Sequence, residues 1–126
     1  MSSKKKESKL PRNGEVYRVD FDPSRGSEIK KKRPVVVVSN NHMNYLAATV
    51  LVMPITAGRH PYFFRIPLNP PEGGMRKASY IVTEQIRVID KSRLGQRLGE
   101  LAVETRQQIE LAIRDHFGLP EGNLLP

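Results

Sequence analysis

The sequence contains no cysteine, and this absence excludes several kinds of chemistry at once. Without cysteine the chain forms no disulfide, offers no thiolate nucleophile and has no cysteine ligand for zinc. The three histidines, His42, His60 and His116, share neither HxH nor HxxxH spacing, so the sequence predicts no metal site and no cofactor. No apolar run reaches about 18 residues, and no apolar segment follows the basic N-terminus. We therefore expect neither a membrane-spanning helix nor a secretory signal, and a cytoplasmic location.

Aromatic residues are also scarce, because the chain has no tryptophan and only four tyrosines and four phenylalanines. Most of them alternate along the chain as core residues do; they are Tyr17, Phe21, Tyr45, Tyr62, Phe63, Phe64, Tyr80 and Phe117. A broad stacking platform of the kind used by sequence-tolerant single-strand binders is therefore not expected.

Positive charge, in contrast, is abundant. The 126 residues include 21 Lys and Arg against 13 Asp and Glu, which gives a net charge of +8 and favours a polyanionic partner. Half of this excess belongs to residues 1–12, which we predict to be a disordered basic tail, and the other half to residues 13–90. The length fits one domain, predicted at 13–118, followed by a C-terminal tail at 119–126.

Hydrophobic periodicity predicts a mainly β domain with one C-terminal helix. Strands are predicted at Glu15–Asp22, Val35–Val38 and Ala48–Ile55, and Tyr62–Leu68 and Ser79–Ile89 together supply two or three more. The period changes to 3.6 from Val103 to Phe117, and Gly118 and Pro120 end that helix. Because no helical crossover separates the strands, we expect a small, curved antiparallel barrel.

Four ordered segments carry a family resemblance. GEVYRVDFDPSRGSE, KRPVVVVSNN, PIT and SYIVTEQIRVIDKSRLGQRLG resemble, in order and spacing, the MazF/PemK toxin endoribonucleases of toxin–antitoxin systems. The resemblance runs from about Gly14 to Gly118. It implies an SH3-like small barrel of the MazF/PemK/CcdB type, a homodimer, an acidic antitoxin as partner, growth arrest, and metal-independent cleavage of single-stranded mRNA.

The resemblance also implies site residues. The Arg of the RP motif and the Thr of the PIT motif form the family's catalytic pair and fall on Arg33 and Thr56. The segments that contribute to the RNA groove fall on Gly26, Ser27, Glu28, Glu84 and Gln85. Lys30, Lys31 and Lys32 depart from the family's glycine-containing loop and are interpreted as a patch that follows RNA phosphates, with Arg87 as a further RNA contact.

The chemistry suits these residue types. RNA supplies its own nucleophile, the 2′-hydroxyl, so an enzyme that orients it and stabilises charge on phosphorus needs neither metal nor thiol. A guanidinium can donate two parallel hydrogen bonds to phosphate oxygens, and a threonine hydroxyl can donate to the same phosphate or position the 2′-hydroxyl.

Each residue also has a structural interpretation. Arg33 could lead a loop into a strand with its charge in water, Thr56 could cap the turn at Ala57-Gly58, and Ser27 could be a turn hydroxyl. Glu84 and Gln85 could be polar positions on an exposed strand, and Arg87 could be solvated or ion-paired. Two other functions use the same fold: a catalytically silent RNA-binding or protein-interaction module, and a toxin that targets gyrase.

Overall fold

The computed structural model describes residues 10–21, 32–58 and 62–120. It has seven strands: β1 (Glu15–Asp20), β2 (Lys32–Val37), β3 (Thr49–Thr56), β4 (Ile66–Leu68), β5 (Ser79–Ile81), β6 (Arg87–Asp90) and β7 (Leu94–Glu100). Two helices, α1 (Asn41–Leu46) and α2 (Val103–His116), and three short 3-10 turns complete it. The predicted basic tail lies outside the described residues except for its last three. The predicted mainly β fold with a C-terminal helix is confirmed.

All strand pairings between the described strands are antiparallel, as the missing crossovers predict. The strand order is β4-β5-β3-β2-β1-β7, and β6 pairs with β3 outside this path. Strand β3 has eight residues and pairs with three strands. Strand β6 pairs with its first half, β5 pairs with its last two residues, and β2 pairs along its other edge. The C-terminal end of β3 is thus a junction of several strands.

Strand β2 supplies both hydrophobic cores of the domain. Val36 and Val38 belong to a first cluster that includes Ile109 of α2, whereas Val35 and Val37 belong to a second cluster with residues of β1 and β6. Alternate residues of a strand point to opposite faces, so a run of four valines is apolar on both sides. The strand predicted at Val35–Val38 is present, and its valines are buried between β1 and β3.

Helix α2 begins and ends by different means. Its N-cap residue, Ala102, has no capping side chain, and the carboxylate of Glu72 accepts hydrogen bonds from the Ala102 N–H at 2.8 Å and the Thr105 hydroxyl at 2.6 Å. At the other end Gly118 has φ of +67°, and the Leu119 N–H donates to the Arg114 carbonyl at 2.8 Å. The predicted stop at Gly118 is confirmed, and the missing N-cap is supplied by a distant turn.

Three elements differ from the prediction. Strand β7 was not predicted: Leu94 is buried, the next three residues are exposed, and its pairing with β1 shifts register twice, so no period of two is visible. Helix α1 was also not predicted, although Asn40 caps it by accepting the Met43 N–H at 2.8 Å. The strand predicted at Tyr62–Leu68 begins only at Ile66.

The prediction that most aromatic residues are core residues is wrong. Tyr45, Tyr62, Phe63 and Phe117 are exposed, and Phe63 retains 95% of its accessible surface. Because residues 62–65 precede β4, strand alternation does not apply to them. Their rings pack on one another instead, with Tyr62 stacked on Phe64 at 5.1 Å.

Candidate functional site

Arg33 and Thr56 lie at neighbouring strand ends. In the pairing of β2 with β3, Val35 lies opposite Pro54, and Arg33 and Thr56 are two residues further along each strand. Strand alternation places both on the side of the second cluster, since Val35, Val37, Val50 and Val52 belong to it. The register, extended by two residues beyond Val35 and Pro54, therefore directs the two predicted catalytic residues to the same face at neighbouring strand ends.

The environment of each residue suits contact with a ligand. Arg33 is half-buried and lies opposite Val19 of β1, so the strand fixes its backbone from both sides. Thr56 is also half-buried, and its hydroxyl makes no hydrogen bond with any residue that the structure describes. The alternative of Thr56 as a cap of the following turn thus finds no bond within residues 32–58 and 62–120. The catalytic roles themselves stay a prediction.

A groove of about 640 Å³ opens beside this pair. Arg33 lines it, together with Ile55 and Ala57, the two neighbours of Thr56. The groove continues between the Met75–Lys77 segment and strand β7, and it is basic along its length. Its basic lining residues are Arg18, Lys32, Arg33, Arg76, Lys77 and Arg97. Four of these were not singled out from the sequence; the positive balance of residues 13–90 was the signal that could have indicated Arg18, Arg76 and Lys77.

Arg97 is paired with two carboxylates, and these contacts explain the direction of its pKa shift. Arg97 donates to Glu15 at 2.9 Å and to Glu100 at 3.1 Å, and the hydrogen bond with Glu15 raises the pKa of Arg97. Burial alone would raise the pKa of Glu15, but hydrogen bonds from the Arg12 backbone, Arg97 and Tyr17 lower it. Burial, and then the bond to Glu15, raises the pKa of Tyr17 to about 12.

Glu84 and Gln85 do not lie on a strand, which corrects the prediction of an exposed strand position. They belong to the 3-10 turn Thr83–Gln85 between β5 and β6. The turn is fixed at buried Thr83, whose hydroxyl lies 3.2 Å from the Phe64 carbonyl and 2.8 Å from His116 Nε2. Tertiary contacts with α2 thus override the strand pattern at this point.

The Glu84 carboxylate forms an ion pair with Arg65 of the same chain. Arg65 Nε lies 3.2 Å and 3.1 Å from its two oxygens, and Arg65 Nη2 also donates to it. Arg65 in turn lies over the Tyr62 ring, with its guanidinium carbon 4.8 Å from the ring centre. An RNA base that hydrogen-bonds to Glu84 would therefore contact a carboxylate that is paired with Arg65. Arg65 was missed because it lies 19 residues from Glu84 in sequence, so no local pattern links them.

Arg87 packs on the Phe21 ring. This contact replaces the two structural interpretations of Arg87, as a solvated or an ion-paired residue. It is half-buried and makes no ion pair with a residue of the described ranges. Its guanidinium carbon lies 4.7 Å from the centre of the Phe21 ring, and Phe21 is only 1% exposed. Arg87 lies opposite Val52 on β3, four residues before Thr56, which corresponds to about 13 Å along the strand. It shares the sheet face of Arg33 and Thr56, and its role as an RNA contact stays a prediction.

The remaining predicted residues are only partly placed. Lys32 begins β2, is exposed, and lies opposite Asp20. Gly26, Ser27, Glu28, Lys30 and Lys31 lie outside the described residues.

Two properties of the described part of the chain bear on function. Within residues 10–21, 32–58 and 62–120, no group of three His, Cys, Asp or Glu side chains is placed to hold a metal ion. In the same ranges, no helix combines the length and apolar character needed to cross a membrane.

Comparison with known proteins identifies relatives along nearly the whole domain. The family model described as "PemK-like, MazF-like toxin of type II toxin-antitoxin system" matches residues 12–117. Endoribonuclease MazF9 of Mycobacterium tuberculosis is 34% identical over 116 residues, covering 87% of this chain and 98% of that protein.

Solved structures agree with this assignment. An endoribonuclease from Mycobacterial species, solved in complex with its cognate antitoxin, has a TM-score of 0.71 and 27% identity, covering 88% of this chain and 96% of that chain. MazF from Deinococcus radiodurans has a TM-score of 0.77 at 22% identity, covering 87% of this chain and 98% of that chain, and supports the fold alone. With the family model matched over residues 12–117, the chain belongs to the PemK-like and MazF-like toxins of type II toxin–antitoxin systems.

Proposed function

We propose that this toxin is a metal-independent endoribonuclease that cleaves single-stranded mRNA at short sequences. The observation that carries the proposal is that Arg33 and Thr56 end adjacent strands on the same face, and that Arg33 and both neighbours of Thr56 line a basic groove. The 34% identity with a protein named as an endoribonuclease supports the same reaction.

The reaction we propose uses the substrate's own nucleophile. The 2′-oxygen loses its proton and bonds to phosphorus, the bond from phosphorus to the 5′-oxygen breaks, and the 5′-oxygen gains a proton. The products are a 2′,3′-cyclic phosphate and a 5′-hydroxyl. In-line orientation of the 2′-hydroxyl supplies much of the rate acceleration, because a bound substrate in this geometry avoids the entropic cost of alignment.

Arg33 and Thr56 have different proposed roles at the cleaved phosphate. A guanidinium can make two hydrogen bonds to the non-bridging oxygens, which gain negative charge as the 2′-oxygen attacks. The role that we propose for Arg33 is to stabilise this developing charge. The Thr56 hydroxyl, which makes no hydrogen bond within the described ranges, is available to donate to the same phosphate or to orient the 2′-hydroxyl.

The partners that we propose follow from the same assignment. A cytoplasmic homodimer is held inactive by an acidic antitoxin, and release from the antitoxin leads to mRNA cleavage and growth arrest. A relative solved with its cognate antitoxin supports this partner. An acidic segment would compete with RNA for the basic surface near Arg33.

The test is cleavage of a long, unstructured RNA by the purified chain in excess EDTA, with the ends mapped. We expect 5′-hydroxyl and cyclic-phosphate ends at a short common sequence. Replacing Arg33 by Ala, or Thr56 by Val, should reduce the single-turnover rate by about 10²-fold or more, as the loss of a donor to a developing oxyanion does. Arg106→Gln, on an exposed face of α2, is the matched control and should cleave normally.

Two outcomes would reject this function. RNA that binds but remains intact would favour the silent RNA-binding module. Intact RNA together with inhibited DNA supercoiling would favour the gyrase-targeting toxin.

A further inference from the structure

Among the described residues, the groove beside Arg33 is lined by six basic side chains and no acidic one. Arg97 is paired with Glu15 and Glu100, neither of which lines the groove. Arg18, Arg76 and Lys77 make no ion pair with any residue of the three described ranges, and the same holds for Lys32. Arg18, Arg76 and Lys77 carry like charges that repel one another, and a bound polyanion relieves this repulsion.

The wall of the groove that carries Arg76 and Lys77 is fixed by close backbone packing. Gly74 has φ of +77°, and a Cβ there would overlap the Leu98 carbonyl of β7. A Cβ on Gly99 would lie 2.7 Å from the Gly73 carbonyl carbon. The chain therefore lies directly against β7 before it reaches Met75, which is buried. Arg76 and Lys77 follow at once, so their backbone positions beside β7 are held in advance of binding.

The lining also indicates what part of a nucleic acid would be bound. Within the described ranges no aromatic side chain lines the groove, and its other polar side chains include Gln96 and Ser79. Bases of single-stranded RNA are held by stacking on aromatic rings, whereas phosphates are held by Lys and Arg without reading sequence. The groove is thus built for backbone, in contrast to the turn that carries Glu84 and Gln85.

Charge argues against a second copy of this chain in the groove. In a dimer whose two-fold axis passes through the groove, the six cations of one copy would face the six cations of the other. Arg33, which is proposed to contact the cleaved phosphate, is also one of the residues that line the groove.

We infer that this groove is a sequence-independent phosphate-binding track for the RNA that flanks the cleaved sequence, with Arg18, Arg76 and Lys77 as its principal contacts. The inference rests on the proposed function, because it assigns the flanking part of the same substrate. It assigns affinity for long RNA to the groove and choice of the cleavage site to the turn that carries Glu84 and Gln85.

The test compares two variants that lose the same charge. Arg76→Gln/Lys77→Gln removes two exposed groove cations, and Arg12→Gln/Arg106→Gln removes two exposed cations that do not line the groove. Binding is measured by fluorescence anisotropy with 2′-O-methyl oligouridine and oligocytidine of about 18 nucleotides, a length that exceeds one single-strand site. These probes have no free 2′-hydroxyl and cannot be cleaved by the proposed reaction. Thermal unfolding of each variant establishes that it is folded.

We expect the groove variant to bind both oligonucleotides about 10- to 30-fold more weakly at about 0.1 M salt. The plot of log affinity against log salt should become shallower by about 1.4, since each single-strand phosphate contact contributes about 0.7. The control variant should lose less than about threefold. Equal losses in the two variants, or a loss confined to one base, would overturn the inference.

Two further arms separate the possible failures. If the groove variant keeps RNA affinity but loses affinity for poly-glutamate, the groove serves an acidic protein partner and the inference is wrong. If the wild-type chain leaves RNA intact in EDTA while the oligonucleotide result holds, the proposed cleavage fails and the groove stands.

Discussion

Glu72 connects two parts of the domain that are distant in sequence, and its removal should be costly. Its carboxylate accepts the Ala102 N–H at 2.8 Å, where helix α2 begins, and the Thr105 hydroxyl at 2.6 Å. Ala102 has no capping side chain of its own, and Thr105 is only 8% exposed. We predict that Glu72→Ala lowers the free energy of unfolding by about 2–4 kcal/mol.

The magnitude follows from two losses. Removing a helix cap costs about 1 kcal/mol, and leaving a buried hydroxyl without a partner costs about 1–3 kcal/mol. A carboxylate near a helix N-terminus also gains from the helix dipole, by about 0.5 kcal/mol. Glu72→Gln keeps a neutral acceptor of nearly the same shape, so its loss should be roughly 1 kcal/mol.

Urea unfolding followed by circular dichroism measures these differences, and Thr105→Val completes a double-mutant cycle. In the Thr105→Val background no hydroxyl is left without a partner, so Glu72→Ala should cost only about 1 kcal/mol there. An equal cost in both backgrounds, or a cost below about 0.5 kcal/mol in the wild type, would refute the assigned contacts.

Three further predictions concern other sites. Gly74→Ala should lower the free energy of unfolding by more than about 3 kcal/mol, because φ of +77° and the Leu98 carbonyl both oppose a Cβ. Gly118 has φ of +67° and open space around it, so Gly118→Ala should lower the free energy of unfolding by about 1 kcal/mol in the same urea assay. Arg65→Gln should raise the KM for RNA about three- to tenfold at low salt, since it exposes the Glu84 charge; a KM that is unchanged and insensitive to salt would contradict this. The raised pKa of Tyr17 favours the neutral phenol in the folded state, so stability present below about pH 10 should be lost as the pH rises towards 12, and Tyr17→Phe should show a smaller loss in unfolding experiments across that window.

The parts of the fold that could be predicted are those whose signal is local. The four valines from Val35 to Val38 are apolar on both faces, which is typical of a strand between two cores. The 3.6-residue period of α2 and the stop at Gly118 depend on residues within one helix. Arg33 and Thr56 came from motif resemblance, and their adjacency follows from the register of β2 with β3.

The parts that could not be predicted depend on contacts between distant residues. Strand β7 lacks alternation because its pairing with β1 shifts register twice, and Gly99 is needed where the Gly73 backbone lies against it. Glu84 was assigned to a strand, but the contact between Thr83 and His116 holds this segment as a turn, and its ion pair with Arg65 spans 19 residues. The basic groove joins residues of β1, β2, β7 and the Met75–Lys77 segment, so no single stretch of sequence shows its charge.

The position of β2 between two hydrophobic clusters has a consequence for hydrogen exchange. The central amides of this strand lie between β1 and β3 and beneath side chains buried on both faces, so no local fraying exposes them. The amide of Val36 should exchange only when the whole domain unfolds, and its protection would report the global free energy. Arg33 is three residues away on the same strand. The guanidinium that we propose to contact the phosphate is therefore expected to be attached to one of the slowest-exchanging segments of the described chain.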